Sequence, residues 1–172
     1  KSLKSLRSIE WQKEVGILPI RKHTNSTLST TVRNVQMTKQ AKTLNERELQ
    51  RLLDFVKTTK SAARNRAIIL LTHLAGMRIG EVAAVRVCDV VASDGSVRDE
   101  INLSAAQTKG NRSRSVLLNE RVQSELAAYI RTVRVRDPKQ ALFNTQRSEA
   151  FTANSLTQVV NGIYRNAGFD GA

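Results

Sequence analysis

Two short segments carry residues whose types and spacing could do chemistry. The first is Ala75–Gly76–Met77–Arg78–Ile79–Gly80–Glu81, an arginine just beyond a glycine and three residues before a glutamate. Apolar segments flank it, so Gly76 reads as the C′ residue of one helix and Arg78 as the N-terminal edge of the next. Free N–H groups favour anions at such an edge, and a guanidinium adds a planar fork suited to phosphate oxygens. The plain alternative is a surface arginine, or one paired structurally with Glu81. The second segment is Thr108–Lys109–Gly110, which reads as a tight turn between two strands. A lysine there is ordinarily just solvated. Brought to a phosphate ester, it could protonate a leaving oxygen if neighbouring charge lowered its pKa. Arg112 and Arg114 fit a patch that tracks a phosphate backbone, or equally a polar strand face.

These residues need elements to position them, and the apolar periodicity supplies several. Thr43–Leu44–Asn45–Glu46 begins a helix, with a capping Thr or Asn and two glutamates in the first turn. Leu49, Leu52, Leu53 and Val56 then form its apolar stripe. A second helix is expected over about 62–75, apolar nearly all round and therefore buried, with His73 a satisfied core histidine. A third follows at about 79–85. The period then changes. Val87–Val91, Glu100–Ser104 and Ser113–Leu118, separated by turns, read as a small antiparallel sheet of two or three strands. Asn119 caps a further helix over about 120–133. Leu142–Phe143 is a short buried stub, and Thr152 or Asn154 opens a last helix with Leu156, Val159, Val160 and Ile163 inward. The class is mainly α with a small antiparallel β-sheet, an α+β arrangement.

Residues 1–42 differ in character. Leu3, Leu6 and Ile9 hint at a short basic amphipathic helix, and the Ser/Thr/Asn cluster at 23–31 looks like a linker. A basic extension or linker is expected there, with Met37 a possible native start. The chain of 172 residues carries 28 Lys+Arg against 15 Asp+Glu, a formal net charge of +13. Nine of the basic and two of the acidic residues lie by Thr43, so more than half of the excess falls there. Such an excess suits a polyanion, because each phosphate neutralised releases counterions; a basic leader on a mildly basic domain accounts for it too. Aromatic residues are 4% of the chain, which leaves the core to Leu, Val, Ile and Ala. Cys88 is the lone cysteine and the histidines number two, which argues against a disulfide framework and against a protein metal site. No apolar run reaches the ~18 residues of a membrane span, and the first twenty residues lack a signal peptide's apolar stretch. A cytoplasmic location is the expectation.

Taken together these segments resemble the tyrosine recombinase (phage integrase) family. Leu74–Val90, LAGMRIGEVAAVRVCDV, is similar to that family's first arginine box, which ends in a strand-starting aspartate. Thr43–Leu44 with Glu46, Glu48 and Leu52–Leu53 resembles the opening of its catalytic domain. The spacing to Thr108–Lys109–Gly110, to Val116–Leu118, to Ala141–Leu142–Phe143 and to Tyr164–Gly168 follows the same pattern. The resemblance implies that residues 43–172 are the N-terminal portion of the catalytic domain. It implies that Arg78 clamps the non-bridging oxygens of a scissile phosphate, that Lys109 protonates the leaving 5′ oxygen, and that Glu81 supports the arginine. Arg112 and Arg114 would contact DNA. The implied reaction is tyrosine attack on double-stranded DNA through a 3′-phosphotyrosine, with self-association on DNA, no cofactor, metal or small-molecule substrate, and a bacterial or phage-derived, nucleoid-associated setting.

The family's His-x-x-Arg box and nucleophilic tyrosine are not found among these residues. Tyr129 and Tyr164 both precede the place of that box, and Tyr164 reads as a packing residue with its hydroxyl at the surface. The expectation is an incomplete, inactive fragment of a site-specific recombinase from a mobile element. The rival readings are a non-catalytic DNA-binding or regulatory remnant, and a plain basic interaction module.

Overall fold

The computed structural model describes residues 43–145 and 148–169; the expectations for residues 1–42 lie outside them. Helix α1 spans Glu46–Lys57. Asn45 Oδ1 accepts from the Glu48 N–H at 2.9 Å, and the Glu48 carboxylate accepts from the Asn45 N–H at 2.9 Å. This reciprocal cap satisfies donors that a helix start leaves unpaired. Leu49, Leu52, Leu53 and Val56, spaced at threes and fours, are all fully buried.

Helix α2 spans Ala62–His73, and Ala67 through Leu71 are fully buried in one unbroken run. A helix buried on several faces needs neighbours on several sides, and α2 has α1, α5 (Glu120–Ile130) and α3 (Ile79–Ala84) around it. Arg66 ties the bundle together. Its guanidinium pairs with Glu125 of α5, Nε donating at 2.9 Å, while Nη1 donates to the Leu53 carbonyl of α1 at 3.2 Å. That pair holds the Glu125 carboxyl below its ordinary pKa, through the hydrogen bond from Arg66. His73 is partly buried at the last turn of α2, where a fully buried core histidine was expected.

The segment expected as a first strand is helical. Val87–Val90 forms one turn, α4, and strand character is confined to single bridges, Arg86 with Ala141 and Val91 with Val97. Asp89 explains the difference, since its carboxylate accepts from the Arg86 N–H at 2.9 Å and caps the turn. The sheet has two strands, β1 (Glu100–Leu103) and β2 (Arg114–Leu117), antiparallel with Ile101 opposite Val116. Ile101, Leu103, Val116 and Leu118 are buried while Asn102, Ser115 and Leu117 are exposed, the alternation of a sheet covered on one face.

Asn119 caps α5 through the Val122 N–H at 2.9 Å, and Leu142 and Phe143 are fully buried as expected. Helix α6 spans Ala153–Asn166, opened by Thr152, and packs on α3. Leu156 and Ile163 are buried, with Val159 and Val160 only partly covered.

Two glycines of the arginine segment should respond oppositely to alanine. Gly76 has φ +63°, with open space where a β-carbon would stand. Gly76→Ala should therefore cost ~1–2 kcal/mol from backbone strain alone. Gly80 lies inside α3, and its β-carbon would meet only the Ala153 methyl, at an ordinary 3.7 Å. Gly80→Ala should gain ~0.5–1 kcal/mol. Urea midpoints should shift in opposite directions; a shift of both the same way contradicts this account.

Candidate active site

Arg78 is the cap residue of α3, in extended backbone (φ −69°, ψ 149°) just past the Gly76 turn. Its own N–H donates to Glu81 Oε2 at 2.9 Å, and its Nη1 donates to Glu81 Oε1 at 3.3 Å. The two side chains differ sharply in exposure: Glu81 is 1% exposed and Arg78 64%. The guanidinium is thus anchored on one edge and open on the others. Helix α3 has only six residues, so anion attraction at this position rests on the guanidinium more than on a helix dipole.

Arg114 of β2 joins the same carboxylate. Its Nη2 donates to Glu81 Oε2 at 3.0 Å and to the Gly76 carbonyl at 3.2 Å, and its side chain is 38% exposed. The sequence reading grouped Arg114 with Arg112 on a DNA-facing patch. Here they separate, with Arg112 exposed on the connection before β2 and Arg114 turned to the carboxylate.

Lys109 is exposed on the β1–β2 connection, at a turn where Asn111 takes φ +49°. The connection is longer than a hairpin loop because Ala105–Gln107 forms a 3₁₀ turn first. Thr108 Oγ1 donates to the Arg112 carbonyl at 2.7 Å and accepts from the Arg112 N–H at 3.2 Å, closing the loop on itself. Gln107 then fastens it to the arginine helix. Its Nε2 donates to the Ala84 carbonyl at the end of α3 (3.0 Å) and to Asp89 Oδ2 (2.7 Å). Its Oε1 accepts from the Ser104 N–H at 2.9 Å and hydroxyl at 2.8 Å. Gln107 was missed in the sequence, where only its place directly before Thr108–Lys109 could have pointed to it.

Both tyrosines take part in aromatic packing. Tyr129 stacks on Phe143 with centroids 5.2 Å apart, and its hydroxyl donates to the Leu142 carbonyl at 3.0 Å. Burial pushes its pKa up to about 12, away from a phenolate. Tyr164 packs edge-on to Phe169 and is likewise shifted upward by burial. Among the described residues, no three His, Cys, Asp or Glu side chains gather to hold a metal ion. No helix among them is long and apolar enough to cross a membrane.

With this geometry in view, the comparisons with known proteins place the chain. The model of the phage integrase family matches residues 42–172, and the chain belongs to that family, that of the tyrosine recombinases. Among its relatives, tyrosine recombinase XerD of Oceanobacillus iheyensis is 27% identical over 130 residues, covering 73% of this chain and 41% of that protein. The chain thus spans well under half the length of this relative. The crystal structure of XerA recombinase shares the fold with a TM-score of 0.60 at 20% identity, over 96% of this chain and 54% of that one. XerH site-specific recombinase, in a pre-cleavage complex with its difH substrate, matches with a TM-score of 0.53 and 26% identity over 74% of this chain and 37% of its own.

The Gln107 tether can be tested with an isosteric charge. Gln107→Glu would set a second carboxylate against Asp89, replacing a 2.7 Å hydrogen bond. Like charges disfavour ionisation, so the loss is present above the carboxylate range and relieved as pH falls through it. The variant should be ~1–3 kcal/mol less stable than wild type at pH ~7, with the gap narrowing toward pH ~4. A pH-independent gap in urea melts would rule out the Asp89 contact as its cause.

Proposed function

We propose that this segment serves site-specific DNA recombination, strand cleavage and rejoining through a 3′-phosphotyrosine intermediate. One observation carries the reading: an open guanidinium, Arg78, fixed by a buried carboxylate in the segment that matches the family. Arg78 clamps the non-bridging oxygens of the scissile phosphate, where charge accumulates in the transition state. Glu81 holds that arginine in place. Lys109, on the loop fastened by Gln107, donates the proton to the departing 5′ oxygen, and Arg112 meets the DNA backbone. The complex of the site-specific recombinase XerH with its difH substrate and the net charge of +13 support duplex DNA as the partner. We propose further that the 172-residue chain alone forms no phosphotyrosine bond, because its two tyrosines are engaged in packing.

The chain should bind duplex DNA with steep salt dependence and form no covalent adduct. A footprint of about six phosphates would lose roughly a thousandfold in affinity between about 50 and 200 mM salt. Fluorescence titration at both concentrations measures this, and absence of binding at the lower one defeats the reading. A nicked suicide duplex resolved on a denaturing gel checks the adduct. A shifted, protease-sensitive band would show that Tyr129 or Tyr164 can attack.

The two cations separate by leaving group in a cleavage-competent recombinase carrying this segment. Arg78→Ala should reduce cleavage ~100–1,000-fold or more, and Arg78→Lys should fail substantially because a point charge lacks the fork. Lys109→Ala should be rescued when the leaving oxygen is replaced by sulfur, which needs no proton, and Arg78→Ala should not. Equal rescue of both, or of neither, removes the role given to Lys109. Near-normal cleavage by Arg78→Ala removes the central assignment.

A further inference from the structure

We propose that Arg114 is a positioning residue for Arg78: it neutralises Glu81 so that the Arg78 guanidinium stays available to a phosphate oxygen. The inference deepens the functional reading above and rests on Arg78 being the phosphate-binding group.

Glu81 is 1% exposed, and a charge so buried must be matched by a nearby cation. Two guanidiniums reach it, on unequal terms. Arg114 approaches at 3.0 Å, adds a bond to the Gly76 carbonyl and is the less exposed of the two. Its Nε is buried without a hydrogen-bond partner, so the orientation is set by what Nη2 holds. Arg78 touches the carboxylate through one longer side-chain bond of 3.3 Å and leaves most of its fork in solvent. The labour divides: Arg114 compensates the buried charge, and Arg78 faces outward.

Removing Arg114 would leave Glu81 with one cation. The Arg78 guanidinium would be drawn onto both carboxylate oxygens, and a phosphate would compete with an intramolecular anion for the same nitrogens. The Gly76 carbonyl would lose its donor as well, loosening the turn that sets the Arg78 backbone. Arg114 therefore governs phosphate binding without touching phosphate. A direct ligand would behave differently, because neutralising Glu81 would not replace it.

The test uses the 172-residue chain with ¹⁵N-labelled arginine. The Arg78 Nε–Hε resonance is assigned by its loss in Arg78→Lys, then followed during titration with inorganic phosphate at constant ionic strength. Hydrogen exchange of the same proton reports how tightly the guanidinium is held. Arg114→Met should weaken phosphate at Arg78 by roughly three- to tenfold and slow that exchange. Adding Glu81→Gln should return both readouts to the level of Glu81→Gln alone, the non-additivity expected of residues acting through one partner. Arg114→Lys should fall between wild type and Arg114→Met. The proposal is overturned if Arg114→Met changes neither readout, or if the double variant stays as impaired as the single one. Should Arg114→Met fail to fold, Arg114→Lys and the double variant carry the same comparison. If phosphate leaves the Arg78 resonance of the unaltered chain unmoved, the functional reading of Arg78 fails instead. The exchange rates then decide the Arg114 role alone: slowed by Arg114→Met and restored in the double variant, it stands; otherwise it falls.

Discussion

A carboxylate taken out of water costs several kcal/mol unless cations and N–H donors surround it, and Glu81 imposes that demand on everything near it. Its partners come from three places: the Arg78 backbone, the Arg78 side chain, and Arg114 on β2. Satisfying one charge therefore fixes the start of α3, the Gly76 turn and the position of the sheet relative to the helix. An apolar residue at 81 would fill the space but could not set those directions, because burial has no preferred angle.

The rest of the fold keeps this arrangement from shifting. Helix α2 is held on several sides, and the clamp from Arg66 to Glu125 and the Leu53 carbonyl locks α1, α2 and α5 together. The Gly76 turn hangs from the C-terminal end of α2, with the Met77 N–H returning to the Leu71 carbonyl at 3.0 Å. On the far side, Ala153 comes close to Gly80, so α6 backs the helix that Arg78 begins. The site is the place where a rigid bundle, a two-stranded sheet and a late helix meet.

Much of this was legible in the sequence because its causes are local. The Asn45–Glu48 cap, the 3–4 spacing of Leu49 to Val56, the unbroken apolar run of α2 and the Gly76 stop lie within a few residues of what they specify. What was not legible has both local and distant causes. Val87–Val91 has the composition of a strand, yet Asp89 caps a helical turn and is met by Gln107, eighteen positions away. Arg114 shares the face of buried Val116 and Leu118, but its partner Glu81 lies thirty-three positions earlier and only the fold brings the two together. The Arg78–Glu81 pairing was visible as the plain alternative to a phosphate role. The two are compatible, since the pairing leaves most of the arginine exposed.

The β1–β2 connection differs in kind from the elements around it. Residues 104–113 bury no large apolar side chain; the segment is fixed by the four hydrogen bonds of Gln107 and the Thr108 loop closure. Segments held this way open at a small fraction of the global unfolding free energy. The position of Lys109 is thus an occupancy, governed by a local equilibrium that the Gln107 tether sets. Two such chains of similar melting temperature can still differ in how much of the time that amine is in place, because the tether is a small part of what a melt reports.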